Sequence, residues 1–110
     1  MKVKKVQKNR LKSEIKKLRN KRLIAVTAMS EGKDFVVLYQ FDEKDLFMLE
    51  IRFPKKDNHL DSITDVFPGA DIMERELHDL FGIEFDGNPN MDHKLFLADD
   101  WEEGPPRRDT

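Results

Sequence analysis

The alternation of apolar and polar side chains predicts three β-strands in the first half of the chain. Residues 23–29 and 35–41 are rich in β-branched and aromatic side chains, and the turn-like segment 30–34 between them indicates a hairpin. Residues 46–53 place apolar side chains on one face until Pro54 ends the pairing. Because the connections between these segments are short, we expect a three-stranded antiparallel meander.

The chain begins with a basic segment that carries the spacing of an amphipathic helix. Leu11, Ile15 and Leu18 recur at i, i+4 and i+7, and this helix is expected to end near Asn20. Residues 1–22 contain eleven Lys or Arg and a single acid, a charge of +10, so the remainder carries −12 to reach the overall −2. Such an arm can face an anionic membrane, nucleic acid or an acidic protein. A solvated helix face with mild attraction to a membrane or partner is the favoured interpretation.

A second amphipathic helix is predicted in the acidic half of the chain. Asp71 is a suitable N-cap, and Glu74 stands at the capping-box spacing, so the helix is expected to begin at Ile72. Gly82 supplies a left-handed C-terminal stop. One side of this helix carries an apolar stripe, which consists of Ala70, Met73, Leu77, Leu80 and Phe81.

Charged residues flank this stripe. Glu74 and Glu76 lie on its two borders, where partial desolvation calls for hydrogen-bond donors, and a structural role is favoured over acid–base catalysis. Arg75 and Asp79 have the i, i+4 spacing of an ion pair. Glu74 and His78 have a spacing that can bind a metal, but two ligands do not make a site, so a surface ion pair is the favoured interpretation.

These patterns predict an α+β fold. We expect a two-layer sandwich with an N-terminal helix, the three-stranded antiparallel meander, the second helix and an extended C-terminal tail. Residues 1–97 are expected to form a single domain that includes a basic helical arm over residues 1–22. Residues 98–110 contain two prolines and few core-forming side chains, so this tail is expected to dock on a partner.

Composition removes several classes of function. The absence of cysteine excludes thiolate-ligated iron–sulfur clusters and disulfide bonds. No apolar run approaches the roughly 20 residues of a membrane span, and the lysine-rich start lacks the apolar core of a signal peptide. We therefore expect a soluble, cytoplasmic protein. No phosphate-binding loop, Ser-His-Asp set or Cys-His set has supporting context, so no catalytic residue, cofactor or metal is predicted.

Residues 74–83 read Glu-Arg-Glu-x-x-Asp-Leu-Phe-Gly-Ile, and this run resembles the signature of a known family. The family is that of the 30-kDa subunit of complex I, the respiratory NADH:quinone oxidoreductase, and it includes short subunits of membrane-bound nickel–iron hydrogenases. The downstream residues follow the family's order, namely Phe85, Gly87-Asn88-Pro89, Met91, Lys94-Leu95-Phe96-Leu97, Asp100-Trp101 and Pro105-Pro106-Arg107-Arg108-Asp109. Four positions depart from its pattern: Asn88, Ala98, Gly104 and Pro106.

The resemblance implies a scaffold protein without a cofactor. Members of the family dock on the large, 49-kDa-type subunit that lines the quinone or nickel–iron site, and on neighbouring peripheral-arm subunits. The chain would lie at the cytoplasmic face of the cell membrane and touch the membrane only indirectly. The residues expected to bind partners are Glu74, Arg75, Glu76, Asp79, Phe81 and Gly82 in the helix and turn, and Trp101, Pro105, Arg107, Arg108 and Asp109 in the tail.

The alternative function is a nucleic-acid-binding module that uses the basic N-terminal arm. Clustered lysines and arginines provide the phosphate contacts that such binding requires. The arm contains no aromatic residue on which a base could stack and no recognised nucleic-acid motif, so nucleic acid is the less favoured partner.

Overall fold

A four-stranded mixed sheet organises the chain in this computed structural model, which describes residues 2–42 and 45–91. The strands are β1 (Lys2–Val6), β2 (Arg22–Glu31), β3 (Asp34–Asp42) and β4 (Phe47–Pro54). They lie in the order β1–β4–β3–β2, with β2–β3 and β3–β4 antiparallel and β1 parallel to β4. The three strands predicted from the alternation are present, and β1 adds a fourth.

The first strand corrects the prediction of a helical arm over residues 1–22. β1 pairs with β4 in a register that places Lys2 opposite Phe47. A short 3-10 turn (Lys8–Arg10) and the helix α1 (Leu11–Lys17) follow it. The lysine-rich strand has no regular alternation, and its partner strand lies far along the chain. Local periodicity could not reveal this pairing.

Both helices pack on one face of the sheet. The helix α1 contributes Leu11 and Ile15, which are fully buried as the i, i+4 spacing predicted. The helix α2 (Ala70–Phe81) contributes its own apolar residues, including Leu77. The sheet contributes alternating residues of its central strands, which are Phe35, Val37, Tyr39, Phe41, Leu49, Ile51 and Phe53. The α+β class is confirmed, and neither helix in the described ranges is long and apolar enough to cross a lipid bilayer.

A second, two-stranded parallel sheet joins the segments before and after α2. It pairs β5 (His59–Asp61) with β6 (Glu84–Asp86). The side-chain amide of Asn58 donates to the Gly82 carbonyl at 2.7 Å, and the Asn58 carbonyl accepts the Glu84 N–H at 2.8 Å. Strands of three residues carry no detectable period, so the sequence pattern did not predict them.

The end of α2 follows the prediction, whereas its start does not. Gly82 adopts a left-handed φ of 76° after the last helical residue, as expected. The helix begins at Ala70 and not at Ile72, and the preceding Gly69 makes no side-chain cap. The prediction of an Asp71 N-cap is therefore wrong. Asp71 lies inside the first turn, where its charge complements the helix dipole.

Shortening a buried side chain of α1 tests the packing of this helix on the sheet. Ile15 is fully buried, so Ile15→Ala should lower the free energy of unfolding by about 2–5 kcal/mol through lost burial and a residual cavity. The exposed neighbour provides the control, and Lys16→Ala should change it by less than about 0.5 kcal/mol. Urea unfolding followed by circular dichroism measures both variants. Equally small effects would contradict the packing of α1.

Candidate functional site

A buried carboxylate lies at the centre of the α2 region. The side chain of Glu74 is fully buried, and its two oxygens accept three hydrogen bonds. The Ser62 hydroxyl donates at 2.7 Å, the Ile63 N–H at 2.8 Å and the Asn88 side-chain amide at 3.0 Å. We call these four residues the Glu74 clasp. Because the donors precede and follow α2, the clasp joins both flanking segments to the helix.

The position of Glu74 differs from the one predicted on the border of the apolar stripe. The expected need for hydrogen-bond donors is met, but the donors lie 11 to 14 residues away and left no local signal. The predicted surface ion pair between Glu74 and His78 is wrong, since Glu74 is buried. His78 Nδ1 lies 3.0 Å from the Ile83 carbonyl oxygen and 3.6 Å from a Glu84 carboxylate oxygen.

Burial dominates the electrostatics of the clasp. It raises the pKa of Glu74 above the ordinary value, the three donors oppose this rise, and the charge of Asp71 adds to it. Tyr39 is also fully buried, and its hydroxyl finds no hydrogen-bond partner among the described residues. Burial, followed by the negative charges of Glu74 and Asp61, raises the pKa of Tyr39. The clasp therefore lies in surroundings that exclude solvent.

The turn after β6 is anchored to the first turn of α2. Asn88 donates to Glu74, and its side-chain oxygen accepts the Asn90 N–H at 2.8 Å. The Asn90 side-chain amide donates in turn to Asp71 at 3.0 Å. Gly87 has a φ of 96°, which suits glycine and reverses the chain here. Asn88, one of the departures from the family pattern, thus has an internal role in this chain.

Arg75 pairs with Asp71 and not with the predicted partner, Asp79. Arg75 Nε lies 3.2 Å from one carboxylate oxygen of Asp71, and a terminal nitrogen lies 3.5 Å from the other. The Nε contact is a charge contact without hydrogen-bond geometry. The side chains are only 15% and 23% exposed. Asp71 is available for this pair because it does not cap the helix.

The other residues predicted to bind partners have varied surroundings. Phe81 packs its ring edge-on against Phe35, with 5.9 Å between the ring centroids. Glu76 and Asp79 are half-buried, and Gly82 is exposed. The predicted tail over residues 98–110 lies outside the described residues, and with it Trp101, Pro105, Arg107, Arg108 and Asp109.

The chemistry available to the clasp is that of a buried hydrogen-bond acceptor. The Glu74 carboxylate is enclosed, and its contacts hold backbone and side chains of the same chain. No three His, Cys, Asp or Glu residues of the described segments are placed to hold a metal ion. The geometry therefore supports a role in positioning the chain on both sides of α2.

Replacing the carboxylate of Glu74 by an amide tests the clasp. Glu74→Gln keeps the size but places an NH2 group against donors, so it should lower the free energy of unfolding by about 1–3 kcal/mol. Glu76→Gln is the matched control on the half-buried side of the same helix, and should cost less than about 0.5 kcal/mol. Thermal and urea unfolding measure the effect. Unchanged stability in Glu74→Gln would contradict the clasp.

The raised pKa of Glu74 predicts how this stability difference varies with pH. The folded protein binds the Glu74 proton more tightly than the unfolded chain, whose pKa is the ordinary 4.5. Ionisation of Glu74 therefore removes stability as the pH rises from 4.5 through the folded pKa. The advantage of the wild type over Glu74→Gln should be larger at pH 4.5 than at neutral pH. Urea unfolding of both proteins across this range decides, and an advantage that shrinks on acidification would contradict the direction of the shift.

Residues 4–110 match the family described as "Respiratory-chain NADH dehydrogenase, 30 Kd subunit". The chain is 37% identical over 81 residues to the corresponding NADH-quinone oxidoreductase subunit of Acidothermus cellulolyticus, which covers 71% of this chain and 42% of that protein. It is 48% identical over 61 residues to the same subunit from Salinispora arenicola, which covers 56% of this chain and 24% of that protein. The chain thus spans only about a quarter to two fifths of the length of these relatives.

Two solved structures share the fold. A trypsin-resistant fragment of Nqo5 superposes with a TM-score of 0.67 at 27% identity, covering 77% of this chain and 78% of the fragment. A chain of the membrane-bound sulfane sulfur reductase, an archaeal respiratory membrane complex, superposes with a TM-score of 0.75 at 22% identity, covering 87% of this chain and 62% of that one. The second likeness shows the fold, and the family match extends over nearly the whole sequence. The chain belongs to the family of the 30-kDa subunit of respiratory-chain NADH dehydrogenase.

Proposed function

We propose that this chain is a non-catalytic subunit of a complex-I-like NADH:quinone oxidoreductase or of a related membrane-bound nickel–iron hydrogenase. It acts as a scaffold that docks on the large, 49-kDa-type subunit and on neighbouring peripheral-arm subunits, at the cytoplasmic face of the membrane. The observation that carries the proposal is the family match over residues 4–110, which includes both the Glu74 clasp and the tail.

The Glu74 clasp supports a scaffold role because it anchors the turn that leads into the tail. Asn88 is held by Glu74, and Met91 packs against the hydrophobic core. Residues 92–110 continue directly from this turn. A segment that starts from a fixed point loses less conformational entropy on docking than one that starts from a mobile loop. Glu74 therefore acts by positioning, since its buried side chain is not available to a partner.

The outer side of α2 supports direct contacts with a partner. Ile72 is a large apolar side chain that is 54% exposed, and the charged side chains of Glu76 and Asp79 are half-buried near it in sequence. Apolar residues bordered by charged ones are typical of protein interfaces. We infer that the interface combines this side of α2 with the tail, using Arg75, Glu76, Asp79, Phe81 and Gly82 together with Trp101, Pro105, Arg107, Arg108 and Asp109.

Purification from the native cell tests the proposal. An affinity-tagged copy of the full chain should co-purify with a large subunit of the complex I or hydrogenase type, which mass spectrometry identifies. The isolated chain should show no flavin absorbance and no stoichiometric metal. Recovery of the chain without any such subunit, or with a stoichiometric flavin or metal, would overturn the proposal.

Removal of residues 98–110 separates docking from folding. The segment contains one large apolar side chain, Trp101, so its own contacts recover little of an ordering cost of roughly 1–2 kcal/mol per residue. The deletion should leave the melting midpoint of the isolated chain nearly unchanged. It should weaken binding to the large subunit by about 100-fold, the scale expected when a cluster of interface anchors is lost.

A variant with residues 98–110 in scrambled order is the matched control, because it keeps the length and charge of the tail. It should bind as weakly as the deletion if the order of the anchors matters. Wild-type affinity in the deletion variant would exclude the tail as a docking element. A large fall in its melting midpoint would instead make the tail part of the folded domain.

A further inference from the structure

The strand β1 forms one edge of the four-stranded sheet, and its outer side is unpaired within the described residues. Its single neighbour in the sheet is β4. The Lys2 N–H donates to the Leu46 carbonyl at 2.9 Å, so the backbone groups of Lys2 point toward β4. Because successive residues of a strand point in alternate directions, Val3 and Lys5 direct their N–H and C=O groups to the free side. The edge thus presents unused backbone donors and acceptors.

Basic side chains border this free edge. Lys4 is neutralised, because its Nζ lies 2.8 Å from a Glu14 carboxylate oxygen. Lys5 and Arg10 are exposed and make no ion pair with any described residue. An open groove of about 370 Å³ lies beside the edge, lined by Lys4, Lys5, Val6, Gln7, Arg10 and Glu14. The groove therefore has a surplus of positive charge next to free backbone groups.

We propose that β1 is a docking edge for an acidic, extended segment of another polypeptide, which adds to the sheet as a further strand. Backbone hydrogen bonds to Val3 and Lys5 provide the pairing. Carboxylates of the added strand meet Lys5 on one face and Arg10 on the other, and an apolar residue covers Val3, which is 52% exposed. This edge is separate from α2 and from the tail, so the inference does not depend on which complex the chain joins.

The charge of the edge selects among possible occupants. Lysines on an edge strand oppose pairing with neutral or basic strands, but an acidic strand turns this repulsion into attraction. A second copy of the chain would bring lysine-rich strands together, so self-pairing at β1 is disfavoured. The free N–H and C=O groups match a polypeptide backbone. An acidic peptide strand therefore satisfies both the charges and the hydrogen bonds.

A peptide of about eight residues that alternates valine and glutamate, with capped ends, is the probe. It is titrated into the full chain at low ionic strength and followed by fluorescence anisotropy. A valine–lysine peptide of equal length should not bind. The valine–glutamate peptide with N-methyl groups on all its central amides keeps the charge and should bind at least about tenfold more weakly.

These peptides separate strand addition from simple charge attraction. Equal binding of the N-methylated peptide would mean that backbone hydrogen bonds play no part, and the proposal would fail. It would also fail if the unmodified acidic peptide did not bind, or if the lysine peptide bound equally well.

Substitution of the two unpaired cations assigns the binding to β1. The double variant Lys5→Gln, Arg10→Gln should weaken binding of the acidic peptide by about tenfold. The double variant Lys33→Gln, Lys56→Gln removes the same charge from exposed positions outside the groove, and should weaken it by less than about twofold. Equal weakening by both variants would overturn the assignment to β1.

Amide hydrogen exchange identifies the occupant of the edge. In the full chain without peptide, the Val3 and Lys5 amides should exchange rapidly, and the acidic peptide should protect both. Protection of these amides in the absence of peptide would mean that a segment of the same chain already pairs with β1, which would overturn docking of another polypeptide.

Discussion

Burial of the Glu74 carboxylate is the constraint on which the α2 region depends. An ionised carboxylate away from water costs several kcal/mol unless donors surround it. Here the donors come from residues 62–63 on one side of α2 and from Asn88 on the other. Neither segment can move without leaving the charge unpaired. The pairing of β5 with β6 contributes to the same arrangement, since it holds the two segments side by side.

This constraint divides the signature residues between two tasks. Glu74 and Gly82 shape the chain, one as a buried acceptor and the other as a left-handed helix end. Glu76 and Asp79 keep part of their surface in solvent, where contact with another protein is possible. A short sequence motif can therefore combine residues that set a conformation with residues that use it. The anchored turn at Asn88 connects both tasks to the tail.

The separation of charge along the sequence is reduced in the folded chain. Lys8 lies 2.9 Å from Asp57, and Lys12 lies 2.9 Å from Asp65, so two ion pairs link the basic N-terminal segment to the acidic half. Such partly exposed pairs contribute little stability each. Their effect on the surface is larger, because they neutralise part of the basic segment and leave the surplus positive charge beside β1.

The sequence by itself determined the elements whose signals are local. Three strands followed from alternation, α1 from its i, i+4 stripe, and the end of α2 from Gly82, since each depends on residues within a few positions of one another. The family signature likewise located the α2 region. Only the tertiary structure decided the pairing of β1, the choice of Asp71 as the partner of Arg75 and the burial of Glu74 among its three donors. These features arise when distant segments compete for the same hydrogen bonds and the same buried volume, and a local pattern carries no record of that competition.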